Sequence, residues 1–298
     1  DQQAWRSEQS IYKNTDAAEK RKGFSILSNV SWLINDNQTL DVDLTHRSDD
    51  RKAVWNNYGL SFPTNIQEMD RTSVGLTYSA NWNDINSRLR YYYENVDLMD
   101  NSEIITNLYK KTGDIQQTNH TFDAQVSGHI GKQHLVTGGA EFRKTELEHN
   151  QNLNGSASVN QKAFYLQDEW KLDRLSLTFA GRFDDYDNFG SEFSPRFYSV
   201  YQVTDQFNFK GGIGKSFKAP SLSQSDPTYS VLACRGMCQV IGNPDLESET
   251  ATSYEFGGVY ENDQFYASLM YFDNDIKNMI VSDGWRAGYR PKVMTYTN

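Results

Sequence analysis

No stretch of this chain comes near the roughly 20 apolar residues that a membrane-spanning helix requires, so crossing by helices is excluded. A cationic excess is missing too. The net charge of −10 argues against nucleic acid as a partner, because phosphate binding needs a basic face. Catalytic constellations are equally scarce: there is no G-x-S-x-G elbow, no H-E-x-x-H pair and no G-x-x-x-x-G-K-[ST] loop. No histidine is spaced to serve a nucleophile, so the chain reads as a non-enzyme. Cysteine is limited to Cys234 and Cys238, close together in one long polar stretch. Such a pair suggests a local disulfide in an oxidising compartment, with two free thiols or half of a metal site as the alternatives. Zinc would want two more ligands nearby, and His46, His120, His129, His134 and His149 lie elsewhere in the sequence. Residue 1 opens a polar segment without a leader pattern, so the expectation is that a targeting segment lies upstream or has been removed.

What the chain does have is aromatic residues and a rhythm of turns. Aromatics make up 13% of the 298 residues, with 18 tyrosines, against only 37% hydrophobic residues. That is poor material for a packed core and good material for a barrel with a polar lumen and aromatic girdles. Short connections at Asn35–Asn37, Asp84–Asn86, Gly131–Gln133, Asp173–Arg174, Thr204–Asp205 and Asn262–Asp263 alternate with long polar stretches. The long ones run over 49–70, 97–116, 149–161, 187–192, 218–249 and 275–291. Tight turns at one end and long loops at the other are the mark of an outer-membrane β-barrel, with its turns in the periplasm and its loops outside the cell.

Strand periodicity is explicit. Val74, Leu76, Tyr78, Ala80 and Trp82 alternate with Ser73, Gly75, Thr77, Ser79 and Asn81. Leu175, Leu177, Phe179, Gly181 and Phe183 alternate in the same way with Ser176, Thr178, Ala180, Arg182 and Asp184. Successive side chains on a strand point to opposite faces, so these segments need one apolar and one wet environment. Thirteen strands are expected, over 22–34, 39–48, 71–83, 88–97, 117–130, 134–148, 161–172, 175–186, 193–203, 206–217, 250–261, 264–274 and 292–298. Single-chain bacterial barrels have even strand numbers and cannot leave an edge in lipid. Residues 1–298 are therefore expected to be the central part of one larger barrel, all-β and antiparallel.

From Gly214 the sequence becomes specific: GKSFKAPSL (214–222), GNPDLESET (242–250), SYEFG (253–257), YFDNDIKNMI (271–280) and a terminal YTN (296–298). AFYLQDEW (163–170), GRFDDY (181–186) and SPRF (194–197) precede them. This order resembles the TonB-dependent outer-membrane receptors, with Ser248 standing where that family usually has proline. The cysteine pair before G-N-P-x-L is similar to that of receptors for ferric catecholate siderophores, and the general design to the colicin I receptor type. The resemblance implies a barrel of about 22 strands, of which about 13 lie here. It also implies an N-terminal plug and a TonB-engaging segment, neither present in this chain, in the outer membrane of a Gram-negative bacterium. The implied partners are a ferric siderophore, TonB, the lipid bilayer with its lipopolysaccharide, and colicins or phage. No cofactor of the protein is implied, since the iron travels inside its ligand. A passive porin, or a receptor for haem, cobalamin or another chelate, is the alternative.

Within the motifs, Pro220 should stop a ladder and Asn243-Pro244-Asp245 should make a turn. Glu249 and Glu255 should be lumen or rim carboxylates. A ferric triscatecholate is a flat-faced trianion, and its capture calls for cations and aromatic faces in the outside loops. The candidates are Arg235 and Tyr229, the cluster Trp285, Arg286, Tyr289 and Arg290, and Trp55 with Arg51. The acidic patches Asp49-Asp50 and Asp184-Asp185-Asp187 lack an ordered calcium-ligand spacing and read as solvated carboxylates.

Overall fold

The computed structural model describes residues 5–6, 16–54, 64–105, 109–233, 238–283 and 293–298. Its strands are β1 (Trp5–Arg6), β2 (Asp16–Ala18), β3 (Lys20–Asn35), β4 (Gln38–Val54), β5 (Thr64–Trp82) and β6 (Ile85–Ile105). They continue with β7 (Tyr109–Ile130), β8 (His134–His149), β9 (Ser156–Lys171), β10 (Leu175–Tyr186), β11 (Gly190–Gln202) and β12 (Phe207–Lys218). A helical turn, α1 (Leu222–Ser225), precedes β13 (Ser230–Ala233), β14 (Cys238–Ile241), β15 (Glu249–Glu261), β16 (Tyr266–Lys277), β17 (Val281–Asp283) and β18 (Val293–Thr297).

Twelve strands, β3 to β12 with β15 and β16, form one antiparallel sheet in which strands pair in chain order, β12 with β15 across the intervening β13 and β14. The strand expected over 292–298 is not part of it. β18 instead joins a separate four-stranded sheet of order β13-β14-β18-β17, paired parallel to β14. The count of thirteen is thus corrected to an even twelve in the main sheet. Threonine and tyrosine in MTYT suit any strand, and nothing in so short a segment says which sheet it joins.

The longest strands overshoot what a membrane needs. A tilted strand crosses the hydrocarbon in about 9–11 residues, whereas β5, β6 and β7 have 19, 21 and 22. Because the connections at 83–84 and 131–133 are tight, the excess projects at the other end. The polar stretches 49–70 and 97–116 are therefore largely ladder and not loop, with Val54 paired to Thr64 and Ile105 to Tyr109. Beyond the lipid both faces of a strand are wet, so the alternation that signals a strand disappears while backbone pairing continues.

Register puts the two environments on opposite faces. Leu76 lies opposite Val42 on one side and Tyr91 on the other, while Gly75 lies opposite Asp43 and Tyr92. The apolar face stands open: Phe164 is 63% exposed, Phe256 58% and Leu269 81%. A contiguous belt of this kind demands a cover far larger than an ordinary surface patch, and lipid supplies it. No helix among the described residues is long and apolar enough to cross a membrane. Gly139 marks a tight point on the polar face, where an added Cβ would meet the Tyr165 ring and sit 2.6 Å from the Ala124 carbonyl oxygen.

Candidate ligand-binding site

The polar face is held together by ion pairs within and between strands. Arg182 on β10 bonds Asp184 at 2.9 Å and Glu141 on β8 at 3.3 Å, and Gln161 on β9 donates to Asp184 at 2.7 Å. Asp184 is 1% exposed, which a carboxylate tolerates only with partners of this kind. Arg88 lies 3.6 Å from Asp123, and Arg143 3.5 Å from Glu141. The reading of Asp49 and Asp184 as solvated is thereby corrected: each is buried against arginine, while their neighbours Asp50 and Asp185 are the exposed ones. Among the described residues no group of three or more acidic, histidine or cysteine side chains is arranged to hold a metal ion.

At the long-loop end of this face, four arginines gather on three strands. Arg21 on β3 lies opposite Arg51 on β4, and Arg47 on β4 lies opposite Arg71 on β5. Like charges directly across a ladder repel, and acids placed between them offset the cost. Arg21 donates to Asp49 Oδ1 through Nε at 3.1 Å and Nη2 at 3.0 Å, and Arg47 bonds the same carboxylate. Arg71 bonds Glu94, donating from Nε at 2.7 Å, and Tyr92 donates to that carboxylate at 3.0 Å. Among the described residues Arg51 pairs with Glu19, at 3.9 Å. Among the described residues these four guanidinium groups pair with three carboxylates, those of Asp49, Glu94 and Glu19, in a chain whose net charge is −10. All four keep a third to a half of their side chains exposed, so their remaining donors are open to an anion.

Of the residues singled out from sequence, Arg51 falls in this cluster. Arg21, Arg47 and Arg71 were missed, although Arg47-x-Asp49-x-Arg51 on alternate positions of one strand is a readable signal. Tyr229 lies just before β13, half-buried, with His149 meeting it edge-on at a ring distance of 6.0 Å. Arg235, Trp55, Trp285, Arg286, Tyr289 and Arg290 lie outside the described residues. So does Cys234, while Cys238 on β14 is disulfide-bonded.

The outside loops form a compact structure of their own. Cys238, Val240 and Met294 make a small core, with Val231, Ala233 and Tyr296 packed against it. Burial pushes the Tyr296 phenol above its ordinary range, and Tyr229 beside it adds to the shift. The backbone N–H of Ser230 donates to Asn152 at 2.7 Å, joining this sheet to the connection between β8 and β9. The terminal Asn298 ties the loops to the barrel rim: its amide donates to the carbonyls of Glu247 at 3.0 Å and Asn278 at 2.7 Å, and its Oδ1 accepts from the Glu247 N–H at 2.8 Å. The motif residues behave as scaffolding. Pro220 follows the end of β12, Asn243 accepts from the Asp245 N–H at 3.0 Å, and Glu249 accepts from Lys218 and from the Ile280 N–H. Glu255 lies 3.8 Å from Arg196. Ser248 is buried and its hydroxyl donates to Glu192, a bond proline could not make.

Comparison with known proteins agrees with this architecture. Residues 9–298 match the family model described as "TonB dependent receptor-like, beta-barrel". The iron-regulated outer membrane virulence protein of Vibrio cholerae serotype O1 is 28% identical over 273 residues, covering 86% of this chain and 39% of that protein. The ferric enterobactin receptor of Pseudomonas aeruginosa is 28% identical over 303 residues, covering 85% and 40%. A crystal structure of a mutant of the receptor PfeA from that organism, in complex with enterobactin, superposes with a TM-score of 0.78 at 22% identity, over 99% of this chain and 50% of that one. The chain spans about two-fifths of the length of these curated relatives. It belongs to the TonB-dependent receptor β-barrel family of the Gram-negative outer membrane.

Proposed function

We propose that the complete protein takes up a ferric siderophore of catecholate type through the outer membrane, energised by TonB through a region outside this chain. The observation that carries the reading is the arginine cluster on the polar face of β3, β4 and β5, facing the side from which the long loops rise. A triscatecholate is a trianion with planar aromatic walls. Guanidinium groups suit both features, pairing with anionic oxygens and stacking on rings. The names of the relatives, three of them ferric enterobactin receptors, support the same ligand class. The iron is cargo inside its chelator, so the protein supplies no metal ligands. We further propose that residues 1–298 are the central part of a longer barrel, because among the described residues β3 and β16 each have a neighbour on one side only.

The test uses the full-length receptor and a panel of ferric triscatecholate, ferric hydroxamate, haem and cobalamin, read by quenching of tryptophan fluorescence. Ferric triscatecholate should bind best. The double variant Arg21→Ala/Arg71→Ala should lose tenfold or more in affinity, about 1.4 kcal/mol. Preference for another chelate would reassign the ligand, and unchanged affinity in the double variant would remove the cluster from the site. A steady open conductance in planar bilayers would make the protein a passive channel.

A further inference from the structure

The described residues contain three buried side-chain polar atoms without a hydrogen-bond partner, and two of them, Asp168 Oδ1 and Trp170 Nε1, sit two residues apart on β9. They point to the same face, and it is the lipid face. Asp168 lies opposite Val136 on β8 and Phe179 on β10, and Trp170 opposite His134 and Leu177. Both are next to the short connections at 131–133 and 172–174, which puts them at the periplasmic edge of the apolar belt.

A tryptophan at that depth is ordinary girdle chemistry. A carboxylate between valine and phenylalanine is not, since a charge on the lipid face costs more the deeper it sits. Only part of the cost is met inside the protein. His134 Nδ1 bonds Asp168 Oδ2 at 2.8 Å, and the His134 ring stacks on the Trp170 indole at 5.3 Å and 16°. The other carboxylate oxygen is an unused acceptor and the indole N–H an unused donor. The nearby Lys171 and Glu169 are paired with each other at 3.3 Å and stand at the alternate positions of β9, so they answer neither atom.

We propose that His134, Asp168 and Trp170 form a binding site for the headgroup of a phospholipid carrying a primary ammonium. The ammonium donates to Asp168, and the phosphate or an ester carbonyl accepts from the Trp170 indole. Phospholipid fills the periplasmic leaflet of an outer membrane, so the partner is at hand where the trio sits. Both atoms are sheltered from water in the lipid-free sheet. The headgroup reaches them by turning aside the His134 ring, whose side chain is 36% exposed.

The experiment takes the delipidated full-length receptor, adds phosphatidylethanolamine, phosphatidylcholine or phosphatidylglycerol, and counts retained lipid by native mass spectrometry. Phosphatidylethanolamine should be retained at least tenfold better than phosphatidylcholine, whose nitrogen has no hydrogen to donate, and better than the anionic phosphatidylglycerol. Asp168→Asn should abolish that preference, and Trp170→Phe, which keeps the ring and removes the donor, should lower retention several-fold. Siderophore binding by both variants should be unchanged, which separates a failure here from a failure of the transport reading. Equal retention of the three lipids, or phosphatidylethanolamine retention undiminished in Trp170→Phe even if Asp168→Asn does not fold, overturns the proposal. Displacement of the lipid by an equal concentration of soluble phosphoethanolamine would also overturn it, by giving the site to a soluble amine.

Discussion

Replacing Leu76 by arginine, with Thr77→Arg as its partner experiment, places the same charge on opposite faces of one strand. Leu76 is six residues from Trp82, where β5 meets its short turn. At about 3.3 Å per residue and a tilt of about 40°, that is roughly 15 Å above the turn. The apolar band is about 25 Å tall, so Leu76 sits near its middle. Arginine on the lipid face at mid-depth costs about 2–4 kcal/mol, a factor of about 30 to 1,000 in the folding equilibrium. Thr77 is on the wet face, with Asp41 opposite on β4 and Arg90 opposite on β6. Attraction to one and repulsion from the other roughly offset, and the cost there should stay below about 1 kcal/mol. Both variants of the complete receptor would be folded into phospholipid vesicles and unfolded by guanidinium, with heat-modifiable electrophoretic mobility as the readout. If Thr77→Arg destabilised as much as Leu76→Arg, or if neither did, the assignment of the two faces to lipid and water would be wrong.

Other outcomes follow from particular contacts. Asn298→Ala removes three hydrogen bonds to Glu247 and Asn278, each worth about 1 kcal/mol net, and should speed hydrogen exchange in the 242–249 segment while leaving the barrel strands protected. Gly139→Val drives side-chain carbon into the Tyr165 ring and the Ala124 carbonyl, and should lower barrel stability by about 1–3 kcal/mol in the same vesicle assay. Reduction of the Cys238 disulfide should expose β13 and β14 to protease without changing the β-sheet circular dichroism, because the loop core is separate from the twelve-stranded sheet.

Much of this architecture could be read from the amino acids alone, for a physical reason. Within the lipid the two faces of β5 and β10 meet opposite solvents, so Leu76/Thr77 and Phe179/Ala180 spell out the strand. Past the lipid that contrast ends, which is why the outer halves of β4 to β7 looked like loop. Neighbours across the ladder are invisible for a different reason. Asp49 and Asp184 look solvated in a linear sequence, and only register brings Arg21 and Gln161 to them. The arginine cluster is half visible: Arg47-x-Asp49-x-Arg51 is readable on one strand, whereas Arg21 and Arg71 stand 50 residues apart and only register joins them. The motifs after Gly214 were legible as scaffold because turn chemistry is local. β18 was misplaced because its pairing with β14 is decided more than 50 residues away.

That distant pairing has a consequence for anything arriving from outside the cell. β14 and β18 belong to different outside connections, and Asn243 adds a bond from its side chain to the Tyr296 carbonyl. Two segments stitched in this way are coupled, so a change that frees β18 should loosen β14 as well, although they lie in separate connections.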